Sequence, residues 1–127
     1  MKPIFLHSPK FCDLMCILNF GTINTFAITL FPFVICRENL EVTYSQKHLE
    51  NTKRHESIHF YQQLECLVVF FYLIYAYDFI YNIVVNKMSA TDAYFAIRFE
   101  EEAYKYMTDP DYLENRKKFA WLEFNLN

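Results

Sequence analysis

From residue 22 onward the chain passes from β-branched and aromatic positions, suited to strands, into helical spacing, and it stays helical. Residues 22–36 carry Thr22, Thr25, Ile28, Thr29, Val34 and Ile35 among aromatic neighbours, a content that fits one or two pleated strands with Pro32 as the break. A short strand over residues 40–44 follows through the polar turn Arg37, Glu38 and Asn39. Ser45 then caps a first helical turn. Asn51 or Thr52 caps or restarts a helix that runs through Leu64 into an aromatic segment. After a boundary at residues 86–89, Thr91 and Asp92 open another helix. It keeps Ala93, Ala96, Ile97, Ala103 and Tyr104 on its inner side and ends near Met107. Asp109 and Pro110 start a final amphipathic helix reaching Leu122, anchored by Tyr112, Leu113, Phe119 and Trp121. The expected fold is α+β, mainly α, in a single domain over residues 1–127. A small N-terminal β element precedes three principal helices.

Composition narrows the function classes. With 54% apolar and 20% aromatic residues in 127, the chain is neither disordered nor fibrous and fills one core. Gly21 is the only glycine, which argues against a many-stranded sandwich with its repeated tight turns. A net charge of -3 with scattered Lys and Arg leaves no footprint for nucleic acid. Cys12, Cys16, Cys36 and Cys66 lack paired spacing and read as buried reduced thiols, and the first twenty residues lack a cleavable leader. Both point to the cytoplasm. A membrane partner also enters, because the run that begins at Cys66 and ends at Val85 carries only Asp78 as a charge. Core burial is the preferred reading, since Glu65 and Asp78 would both be costly in hydrocarbon.

The stretch that carries chemistry is His55, Glu56, Ser57, Ile58 and His59, the pattern H-E-x-x-H. On a helix, positions four apart stand one turn above each other, so both imidazoles reach one point while Glu56 emerges about 100° round the axis. Neutral imidazole nitrogens suit zinc, which acidifies a bound water, and a neighbouring carboxylate can take the proton and pass it to a leaving amine. Two histidines call for a third ligand. Glu100 shares the inward face of its helix with Ala103 and Tyr104, Glu101 points to water, and Glu102 remains an alternative should the helix phase differ by one residue.

This arrangement resembles the gluzincin metallopeptidases, whose H-E-x-x-H helix is joined by a glutamate, often within E-x-x-A, on a later helix. Here that second pattern reads Glu100-x-x-Ala103. The wider wording, His55 to Glu65 by way of Phe60, Tyr61, Gln62 and Gln63, then Phe71, Tyr72, Phe99, Glu102 and Tyr104, is similar to short bacterial H-E-x-x-H proteins. The resemblance implies zinc held by His55, His59 and Glu100, Glu56 as general base and acid, and a peptide or protein substrate. It also implies that the apolar strand over residues 28–36 lines the cleft and pairs with an extended peptide. Tyr104 stands where many relatives have an aspartate that orients a ligand histidine. Gln62, Gln63 and Asp78 are therefore open as imidazole partners, and Tyr94, Tyr104 and Tyr106 as oxyanion donors. The alternative is a helical interaction or membrane-associated protein whose metal site is structural or vestigial.

Overall fold

The computed structural model describes residues 2–8, 10, 27–36 and 46–126. The strand expected at residues 40–44, its preceding turn, the Ser45 cap and Cys12 and Cys16 lie outside these, as does the side chain of Cys36.

Three four-residue strands, β1 (Ile4–His7), β2 (Ala27–Leu30) and β3 (Phe33–Cys36), form a sheet in the order β1-β3-β2. The strand β1 was not foreseen. It pairs in parallel with β3, Ile4 opposite Phe33, while β2 runs antiparallel to β3 with Thr29 opposite Val34. Pro32 sits in the tight connection between β2 and β3, where its missing N–H costs no ladder bond.

Helix α1 (Gln46–Glu65) packs Leu49, Ile58 and Phe60 into the interior, and Phe60 stacks on Phe31 at 5.3 Å. Its buried side also holds His55, Glu56, His59, Gln62 and Gln63. A helix that buries this many polar groups must supply each with a partner.

The single long helix expected from residue 51 into the aromatic segment is instead two. Leu67 and Val68 adopt positive φ, 53° and 60°, and α2 (Val69–Val84) leaves at 112° to α1. Such a conformation costs a non-glycine residue roughly 1–2 kcal/mol. The turn brings Phe71 onto Phe99, stacked at 4.5 Å, in a core completed by Cys66, Ile97 and Trp121. Cys66 is a buried free thiol, as expected.

The helix expected over residues 91–107 is likewise divided, into α3 (Ala90–Phe95) and α4 (Arg98–Tyr106), with Ile97 extended between them. Ser89, not Thr91, caps α3 by accepting from the Asp92 N–H at 3.2 Å. Asp78 fixes where α4 begins. Fully buried, its carboxylate accepts from the Arg98 backbone N–H at 3.1 Å, Nε at 2.9 Å and Nη2 at 2.8 Å. An anion at a helix N-terminus paired to a guanidinium satisfies the charge within the protein.

The amphipathic helix expected over residues 110–122 is replaced by one turn, α5 (Tyr112–Asn115), and a 3-10 turn, Ala120–Glu123. Phe119 between them is left-handed, with φ of 58°. This path carries Trp121 to 4.7 Å from Phe99 and places Arg116 inside the fold. No single helix among the described residues is long and apolar enough to cross a membrane; α1 and α2 reach the necessary length and composition only as a pair with its 112° bend.

Candidate metal centre

His55 and His59 project from successive turns of α1, and Glu100 meets them from the first turn of α4. The His55 and His59 Nε2 atoms are 3.1 Å apart, and the Glu100 Oε2 lies 3.3 Å from the first and 3.2 Å from the second. Ligand atoms at 2.0–2.1 Å around one tetrahedral cation would be separated by about 3.3–3.4 Å. The triangle is therefore close to the size that a zinc ion spans. All three residues are buried, at 4–7% exposure.

Each of the three approaches in an orientation that neighbouring groups support. The His59 Nδ1–H donates to Gln62 Oε1 at 2.8 Å, which directs Nε2 toward Glu100 and His55. Gln62 in turn donates from Nε2 to Glu102 Oε2 at 2.8 Å and to the Phe99 carbonyl at 3.1 Å. Glu102 accepts from Tyr112 Oη at 2.9 Å and is paired with Arg116, whose guanidinium also pairs with Glu65. On the other side, Tyr75 Oη donates to Glu100 Oε1 at 2.9 Å and leaves Oε2 to the imidazoles. The Tyr104 ring lies edge-on to His55 at 4.4 Å, and its hydroxyl meets that of Tyr94 at 3.2 Å.

Glu56 is buried beside these groups. The Thr29 hydroxyl on β2 donates to its Oε2 at 2.6 Å, fixing one carboxylate oxygen and leaving Oε1 for other partners. One helical turn on from His59, Gln63 bridges to β2 with both ends of its amide. Its Nε2 donates to the Thr29 carbonyl at 2.7 Å, and its Oε1 accepts from the Phe31 N–H at 2.8 Å. The strand edge at Thr29 and Phe31, expected to receive an extended peptide, is already bonded.

Of the sequence candidates, Glu100 and not Glu102 joins the histidines, and Gln62 is the imidazole partner. Gln63 and Asp78 serve β2 and α4 instead. Tyr94 and Tyr104 lie at the cluster, whereas Tyr106 stacks on Tyr112 at 4.0 Å. Thr29, Tyr75, Arg116 and Glu65 were missed, since nothing in their local sequence marks them.

Burial works against charge on both members of the central pair, and their mutual attraction overrides it. It would push the Glu100 carboxyl up, yet the two imidazoles hold it well below the usual carboxylate range. It would pull His59 down, yet the charges of Glu100 and Glu56 push it up to about 9. Tyr75 is driven well above its ordinary range by burial and by Glu100, so it stays a proton donor.

In metal-stripped protein these shifts set a pH profile. His59, raised from 6.5, contributes stability fully below 6.5 and loses it as pH rises through about 9. Glu100, lowered from 4.5, contributes above 4.5 and loses it as pH falls. Urea unfolding of chelator-treated protein is expected to show its highest midpoint between pH 4.5 and 6.5, declining toward pH 9. A midpoint that holds level from 6.5 to 9 would contradict the pairing.

Two imidazoles and one carboxylate form the donor set of hydrolytic zinc sites, whereas structural sites close with four protein ligands. Among the described residues this is the one cluster of three such groups placed to share an ion. No family model, no curated protein and no solved structure matches the chain.

Proposed function

We propose that the chain is a zinc-dependent metallopeptidase in which His55, His59 and Glu100 hold the metal and Glu56 is the general base. The observation that supports this most is the triangle of 3.1–3.3 Å among the three ligand atoms, with Glu56 separately held by Thr29. When bound, zinc supplies a water acidified toward neutral pH and polarises a carbonyl oxygen.

The residues of the chain account for the remaining work. Glu56, through Oε1, takes a proton from the attacking water as the water oxygen bonds to the scissile carbon. The same carboxyl returns that proton to the amide nitrogen as the C–N bond breaks. Thr29 prevents the carboxylate from rotating while this happens. Tyr104, half-exposed beside His55 and bonded to Tyr94, offers a hydroxyl to the developing oxyanion.

The small exposure of the three ligand residues favours a second reading, a helical module in which the metal stabilises the fold without turnover. Zinc content comes before this choice. Protein reconstituted with zinc and desalted is expected to retain about one ion per chain, and His55→Ala and Glu100→Ala less than about a tenth of that. Wild-type protein with no retained zinc would overturn both readings.

A further inference from the structure

The face of α2 that points away from the core has no assigned role. Phe71, Tyr75, Asp78 and Asn82 face inward, and Asp78, the only ionisable acid or base on the helix other than its tyrosines, is spent on Arg98. The opposite face exposes Val69, Leu73, Ala76, Ile80 and Ile83, at spacings of four, three, four and three. This is the 3.5-residue repeat of a seam that a second helix reads. Phe70, Tyr77 and Val84 flank it, all exposed.

From this seam we infer that α2 pairs with α2 of a second copy of the chain, antiparallel about a two-fold axis that passes beside Ala76. Three observations choose this occupant. Residue 76 lies at the middle of Val69–Val84, so a two-fold places the smallest side chain of the seam where the two axes cross and lets them approach to about 8–10 Å. The seam and its flanks expose roughly 700 Å² of apolar side-chain surface, close to the about 800 Å² that each partner gives to a stable interface. The face bears no charge, so a copy of itself meets it without like-charge repulsion.

A bilayer fits less well. At sixteen residues α2 is about 24 Å long, short of a ~30 Å hydrocarbon core, and it carries none of the Lys or Arg that a helix lying on a membrane surface presents. Lipid also demands no 3.5-residue spacing.

Sedimentation of the full chain in detergent-free buffer is expected to give about twice 15.4 kDa, and the Leu73→Glu, Ile80→Glu double variant 15.4 kDa, with its circular dichroism unchanged. Should that variant misfold, Ala76→Cys keeps the proposal open to refutation. Mild oxidation is expected to link it into a covalent dimer well above the wild-type background, and Val84→Cys is not, because residue 84 faces residue 68 of the other copy and lies far from the axis. A wild-type monomer at about 100 μM overturns the inference. So does a dimer that survives the double variant, cross-linking at residue 84 in place of 76, or a monomer that floats with phosphatidylcholine vesicles.

Discussion

Glu56→Gln is expected to lower peptide turnover by about 10²–10⁴-fold while leaving zinc content and KM near wild type. The substitution preserves the shape of the side chain and its ability to accept from Thr29 Oγ1, so β2 stays anchored. What it removes is the capacity to hold a proton between the attacking oxygen and the departing nitrogen. Because Gln62 and Tyr75, and not Glu56, hold His59 and Glu100, metal analysis of the same preparation separates loss of chemistry from loss of the site. Equal cleavage by the variant and wild type would remove Glu56 from the reaction and leave the stabilising-metal reading in possession of the site.

Arg116→Met is expected to destabilise the fold by about 3–5 kcal/mol, the usual cost of leaving buried charge without its partner. The guanidinium is nearly inaccessible and lies between two carboxylates, Glu102 fully buried and Glu65 nearly so. Burial would lower the Arg116 pKa, but hydrogen bonds to both glutamates raise it instead, so the charge is firmly held. The effect should reach the metal. Glu102 without Arg116 is no longer held in place to accept from Gln62, and Gln62 is what orients His59. Zinc affinity is therefore expected to fall about 10–100-fold in a variant that still folds, as measured by competition with a chromophoric chelator. Urea unfolding supplies the stability. A variant that keeps both the wild-type midpoint and the wild-type zinc affinity would show that Arg116 is a surface ion pair, contrary to its burial.

Helical phase made part of this site legible in the sequence. His55 and His59 are four apart, and Glu100 shares a face with Ala103, so periodicity alone brings each group to the correct side of its helix. The α+β, mainly α architecture followed from the same patterns. Where the reading failed, the cause was a turn without its usual marker. Leu67 and Val68 adopt positive φ with neither Gly nor Pro nearby, and an uninterrupted apolar run gives no warning of a 112° bend. Ile97 divides two helices because Asp78, twenty residues before Arg98, claims the first N–H of α4. Likewise nothing in the sequence around Arg116 sets it apart from the other charges of residues 110–122. Its place inside the fold depends on two acids from α1 and α4, contacts that no local window contains.

The amide of Gln63 does the work of a neighbouring strand, bonding outward-facing groups of Thr29 and Phe31 in the pattern that main chain would use. A polypeptide laid along β2 at those residues would find the docking rail already occupied. Its cleavage site would then be selected by the fit of its side chains more than by main-chain zippering, and the same glutamine guards that margin of the sheet against runaway strand-to-strand polymerisation.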